Sequence, residues 1–326
     1  MAKPKVALYW VAGCGGCDVA VLDTNEKILD IANLVDIVLW PIALDFKYHH
    51  VEAMPDGSID LALINGAVRN TEHKKMVELL RAKSKVVVAF GSCAYLGGIP
   101  GLGNFVSNAD IFKRVYQEIP SNANAEGILP QTHVKVPEGE LELPALMDSV
   151  LTLAQVVKVE YFLPGCPPAP DAIMKLVELW ATGKLPPPGA VIASDKSLCD
   201  ECDRVKEEKK ITIVFRSHQI VPDRKRCLLE QGLLCCGPAT RGGCGQKCIN
   251  ANMPCRGCFG PPPGVVDQGA KLVSAIASIY QGNTQADIAR MMDEIVDPAG
   301  TFYRFGLANS LLQRKRVPAS QGGSAK

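Results

Sequence analysis

The sequence has no run of about 18 apolar residues, the length a helix needs to cross a bilayer, and no twin-arginine signal. The apolar run at residues 6–12, behind Lys3 and Lys5, is too short for a signal core. It leads into Gly13-Cys14-Gly15-Gly16-Cys17, which reads as structured rather than disposable. No membrane span and no export signal are therefore expected, and the expected location is the cytoplasm. Charge of one sign is also missing: 35 Lys+Arg against 34 Asp+Glu leave a net charge of +1, so nothing in the composition calls for nucleic acid or an anionic membrane. A dinucleotide fingerprint and a Walker lysine are absent. The Gly-rich tract at residues 97–103 (GGIPGLG) opens no strong helix and reads as a shaped loop, not a phosphate cradle.

What the chain has is cysteine, thirteen in 326 residues, seven of them between Cys227 and Cys258. Cysteine this dense means a disulfide scaffold, zinc or iron–sulfur clusters. Disulfides are rare in the cytoplasm, which leaves metal. The length suggests two domains, and the hydrophobic fraction of 47% and charged fraction of 21% are those of an ordinary globular protein.

The first part of the chain alternates strands with helices. Strands are expected at residues 5–11 (KVALYWV), 35–40 (VDIVLW), 60–64 (DLALI), 85–90 (KVVVAF) and, after an irregular middle, 156–163 (VVKVEYFL). Helices are expected at 18–32, at 71–81 with Thr71 as cap, and at 171–181. This alternation implies an α/β fold with a parallel sheet covered on both faces. Cys14 and Cys17, then Cys93, then Cys166 each follow the carboxyl end of an expected strand, the edge where open α/β sheets bind ligands. Each has a glycine one or two positions before it, which lets backbone approach a bulky inorganic group. Four thiolates complete a 4Fe-4S site. The bland alternative for Cys93 and Cys166 is a buried small hydrophobe. His49 and His50, with no cysteine nearby, read as surface residues.

Residues 182–189 (TGKLPPPG) mark a boundary between a first domain at 1–183 and a second at 190–326. The second is a small irregular and helical unit with a polar, disordered tail at 318–326. Its cysteines split into Cys199, Cys202, Cys227, Cys235 and Cys244, Cys248, Cys255, Cys258. Cys236 is left over and could exchange roles with Cys235. Either set could bind zinc. The independent four-thiolate site upstream favours a redox relay, which zinc cannot form. The charged tracts at 204–210 and 223–226 read as solvated faces that could steer a redox partner. His218 follows an expected strand at 211–217 and reads as structural. Further helices are expected at 268–280 and 285–295.

These motifs resemble the electron-transfer small subunit of nickel–iron hydrogenases. The carrying residues are Cys14-Gly15-Gly16-Cys17, Gly91-Ser92-Cys93, Pro164-Gly165-Cys166-Pro167-Pro168 and the eight-cysteine block. Residues 228–243 and 254–262 are most similar to the cytoplasmic methyl-viologen-reducing, deazaflavin-non-reducing type associated with heterodisulfide reductase. The resemblance implies a flavodoxin-like first domain and a nickel–iron large subunit as partner. It also implies an iron–sulfur delta-type subunit and heterodisulfide reductase as the onward route. By motif, three 4Fe-4S clusters fall on Cys14/Cys17/Cys93/Cys166 (proximal), Cys244/Cys248/Cys255/Cys258 (medial) and Cys199/Cys202/Cys227/Cys235 (distal). Cys199 stands where periplasmic relatives have histidine, and Cys248 where they have proline. Val19 stands where many relatives carry a glutamate on a proton route. An NAD(P)-linked or deazaflavin-reducing hydrogenase and a zinc-stabilised interaction module are the competing readings. The related quinone-reducing complex subunit shares the first-domain pattern and lacks the second cluster domain.

Overall fold

A computed structural model describes residues 3–312; the expected tail at 318–326 lies outside the described residues. The strands are β1 (Lys5–Trp10), β2 (Asp36–Leu39), β3 (Ile59–Asn65), β4 (Val68–Asn70), β5 (Ser84–Phe90), β6 (His133–Val136), β7 (Gly139–Glu142), β8 (Leu146–Leu151) and β9 (Tyr161–Leu163). Five of them form one sheet in the order β2-β1-β3-β5-β9, every neighbouring pair parallel. This is the doubly wound order of the flavodoxin type, with its crevice at the carboxyl ends.

The near-continuous apolar strands follow from burial on both faces. On one face Ala7, Tyr9, Ile64, Val87 and Ala89 meet Met76, Val77 and Leu80 of helix Thr71–Lys83. On the other, Val6, Leu8, Leu63, Val88 and Phe90 meet Ile173 and Leu176 of helix Pro170–Ala181. Registers such as Leu63↔Val88 and Phe90↔Leu163 bring the strand ends level, which is what gathers the residues that follow them.

Several elements differ from expectation. The helix expected at 18–32 is two helices, Gly16–Leu22 and Lys27–Leu34. Thr24 Oγ1 donates back to Val21 O at 2.7 Å and Asn25 takes φ +53°, so the chain turns between them. The cap of Thr71–Lys83 is Asn70, whose side chain accepts the His73 N–H at 2.8 Å; Thr71 is already helical. The last strand is only Tyr161–Leu163, because Val156 and Val157 pack onto the core from a loop after a 3-10 turn at Leu153–Gln155. The irregular middle contains the hairpin β6–β7 and β8, which pairs antiparallel with β4 from before helix Thr71–Lys83. Residues 211–217 form no strand; single bridges Ile211↔Tyr280 and Phe215↔Leu233 anchor them instead.

The second half is built on a core of Leu198, Leu228, Leu233, Ile249, Leu272 and Ile276, into which Cys235, Cys236 and Cys255 are packed as apolar groups. It has more buried apolar surface than its glycine and proline content suggests. Helices Gln268–Ala277 and Gln285–Glu294 flank it. The chain then returns to the first half: Phe305 O accepts from Gly98 N at 2.9 Å, and Ala308 O accepts from Gln155 Nε2 at 3.0 Å. Among the described residues no helix is long and apolar enough to cross a membrane.

Candidate functional site

Cys14 and Cys17 follow β1, Cys93 follows β5 and Cys166 follows β9. The ends of β5 and β9 are tied by Gly91 N to Leu163 O at 2.7 Å and Ser92 N to Gly165 O at 2.8 Å. The four thiols come together at this edge. Cys17 and Cys93 are half-buried and Cys14 and Cys166 form an exposed rim. Burial is the main force pushing the Cys17 thiol up, followed by Cys93, Cys166, Asp18 and Cys14. Burial, with Cys166 and Cys14 beside it, pushes Cys93 up to about 12, against the Ile99 backbone N–H. Two glycines make the approach possible. A Cβ on Gly91 (φ +89°) would stand 2.5 Å from Cys17 Sγ, and one on Gly98 (φ +57°) 2.4 Å from Cys93 Sγ. The Gly-rich tract thus lies against a thiol of the site.

The second set is the clearest. Cys199, Cys202, Cys227 and Cys235 line one cavity of about 340 Å³, walled by Leu198, Leu228, Leu229 and Ile249. Burial and the neighbouring Cys235 push Cys199 up to about 12, while Lys206 pulls the other way. Burial carries Cys235 to about 11, moderated by the backbone N–H groups of Gly237 and Cys255. Cys236 is not in this lining. Burial and Cys235 push it up to about 12, and Arg256 and Arg304 oppose. The structure therefore turns Cys235, not Cys236, toward the other three thiols.

In the third set Cys258 lies beside Cys248 and Cys244, and burial pushes it up to about 12. Cys255 is held well above its usual value by burial, then by Cys235 and Cys236, and it reaches this set through Cys258. It sits between the second and third sets. Among the described residues, no three His, Cys, Asp or Glu side chains close on one point as the ligands of a single ion do.

Residues 14–179 match the family described as NADH ubiquinone oxidoreductase, 20 Kd subunit. The iron–sulfur subunit of the F420-non-reducing hydrogenase of Archaeoglobus profundus is 42% identical over 95% of this chain and 98% of its own length. The corresponding F420-non-reducing hydrogenase chain of Methanothermobacter thermautotrophicus is 34% identical over 96% of this chain and 97% of its own. The chain belongs to this family of F420-non-reducing hydrogenase subunits. It is thus a nickel–iron hydrogenase small subunit and part of an oxidoreductase. In fold it is similar to a chain of the nickel–iron–selenium hydrogenase of Dm. baculatum, with a TM-score of 0.51 at 19% identity over 81% of this chain and 96% of that one.

In this hydrogenase subunit, Val19 is exposed. The neighbouring Asp18 is fully buried, but Trp40 Nε1 and Asn65 Nδ2 each donate to one of its carboxylate oxygens at 2.9 Å. His49 and His50 are exposed on helix Tyr48–Glu52, and His218 is exposed. Arg204 corrects the reading of 204–210 as a solvated face. It is buried and donates to Asp223 O, Arg226 O, Ile249 O and Asn252 Oδ1, stitching the loops around the second cavity. No sequence signal separates this arginine from its charged neighbours.

Proposed function

We propose that this chain is the electron-carrying subunit of a cytoplasmic nickel–iron hydrogenase. It would hold three 4Fe-4S clusters, the proximal on Cys14, Cys17, Cys93 and Cys166, the medial on Cys244, Cys248, Cys255 and Cys258, the distal on Cys199, Cys202, Cys227 and Cys235. The observation that carries this is the four-thiol cavity of about 340 Å³, together with four further thiols gathered at one sheet edge. The donor set fits: all-thiol, half-buried or buried apart from the exposed Cys14, Cys166 and Cys248, and approached at the first site by backbone that leaves no room for a Cβ. Bound clusters supply one-electron carriers. The chain's own residues hold them apart, exclude water and set their potentials through burial, charge and hydrogen bonds to sulfur. A first core that runs on to Ile192 and a second that starts at Leu198 support a division a few residues past 183–190.

The exposed rim of Cys14 and Cys166 is the face we assign to the nickel–iron large subunit. The motif resemblance alone supports an iron–sulfur delta-type subunit and heterodisulfide reductase as the onward route. The relatives' names, F420-non-reducing, favour this over a deazaflavin-reducing role. The test is iron, acid-labile sulfide and zinc on anaerobically purified chain. About twelve iron and twelve sulfide are expected. About four iron with about two zinc would turn the second half into a structural module and end the relay. Cys93→Ala should remove the proximal signal while the other two remain. Survival of that signal would refute the proximal assignment.

A further inference from the structure

The three thiol sets touch each other through backbone amides. At one junction, the Cys255 N–H donates to Cys235 Sγ at 3.3 Å. At the other, the Cys166 N–H is directed at Cys258 Sγ. At the first of these the amide of one set's cysteine donates to a sulfur of the next. Both contacts are backed by carbonyl bonds. Cys236 N donates to Cys255 O at 3.0 Å, and Ser92 Oγ to Cys258 O at 2.5 Å.

The junction at Cys255 is held by side chains that are not cysteines. Thr240 Oγ1 donates to Cys236 O at 2.6 Å. Gln268 Nε2 donates to Gly257 O at 2.9 Å and to Thr240 Oγ1 at 3.2 Å. One amide at the start of helix Gln268–Ala277 thereby clamps the loop carrying Cys255 and Cys258 onto the loop carrying Cys235 and Cys236. Thr240, Cys235 and Cys255 are all buried, where a hydrogen bond is stronger than in water.

We infer that the Cys255 N–H···Sγ Cys235 contact is the bonded crossing between the medial and distal sites, and that Gln268 and Thr240 are its positioning residues. This rests on the reading of the thiols as cluster ligands. The contact does two things. It offers electrons a path of covalent bonds and one hydrogen bond instead of a through-space jump. It also places a donor on a ligating sulfur of the distal site, which raises that site's potential.

The test uses full-length chain loaded anaerobically and labelled with 15N-cysteine, as wild type, Gln268→Leu and Thr240→Val. Iron is counted first; wild type well short of about twelve would sink the cluster reading itself. With iron intact, pulsed EPR on the distal signal should show a 15N coupling in wild type that weakens in both variants. The distal midpoint should shift to more negative potential while the proximal midpoint stays fixed. Variants that keep their iron with the distal midpoint and coupling of wild type would overturn the latch and leave the clusters in place. Should neither variant hold its iron, the wild-type chain decides: no cysteine-15N coupling on the distal signal overturns the crossing.

Discussion

Replacing Gly91 by alanine probes how closely the fold wraps the proximal site. Gly91 has φ +89° and ψ 166°, a region that is essentially restricted to glycine. Forcing alanine there costs about 1–3 kcal/mol of backbone strain. The new Cβ would also stand 2.5 Å from Cys17 Sγ and 3.5 Å from Gly165 O. Relief of that overlap adds about 1–3 kcal/mol, as for other overpacked sites. Gly57 is the control: its φ is +68° and nothing lies within 4 Å of its built Cβ. Gly57→Ala should lower stability by about 1–2 kcal/mol and keep all iron. Gly91→Ala should lower it by about 2–6 kcal/mol and take iron from about twelve toward about eight per chain. Iron analysis, EPR of the proximal signal and urea titration of the loaded chains provide the comparison. Gly91→Ala with full iron and the stability of Gly57→Ala would show that the backbone does not press on the thiol.

Glu160→Ala should cost about 3 kcal/mol in urea unfolding. It removes the carboxylate that Arg81 pairs with at 2.6 Å, leaving the guanidinium only backbone carbonyls of Lys158, Ser84 and Lys85, and it strands the buried Val87 N–H, bonded at 2.8 Å; a cost under about 1 kcal/mol would mean that the pair behaves as an exposed one. Asp60 titrates below the ordinary carboxylate range: partial burial opposes ionisation, but Lys85 and the Lys5 N–H more than offset it. Its stabilisation is complete above the unfolded carboxylate value and is lost as pH falls through the folded one. Asp60→Asn should therefore shrink the stability loss between pH 7 and pH 3, and an unchanged loss would remove Asp60 from that account. With Cys199 and Cys235 raised to about 12 and about 11, the folded thiols carry protons that ligation must displace. Iron uptake by apo chain should fall as pH drops from 8.5 to 6.5, and uptake independent of pH would contradict it.

The sheet was legible because its strands are short, apolar and β-branched, and four of the five end near a glycine. The same pattern brought Cys14, Cys17, Cys93 and Cys166 to one edge. It failed where burial comes without a ladder, as at Val156 and Val157, and where a local bond breaks a helical run, as at Thr24 and Asn25. Spacing could not separate Cys235 from Cys236, because adjacent residues differ only in which way the backbone turns them. The roles of Arg204 and Gln268 were invisible for a related reason. They bond to the carbonyls of Ile249 and Gly257, and no pattern in the chain marks a carbonyl as needing a donor. Thr240 bonds to Cys236 O, close by in the chain, but its bond to Gln268 exists only once the loop is folded.

Five of the proposed ligands in the second half, Cys202, Cys227, Cys235, Cys244 and Cys255, also belong to its core or pack against it. Ligation would join Cys199 to Cys227 and Cys244 to Cys258, closing loops much as a covalent staple does. Damage to one cluster by oxygen would then sever several cross-links at once. Oxidative injury in this protein should be read as local unfolding, with cleavage by protease in the lysine-rich stretch between Cys202 and Cys227 as its earliest sign.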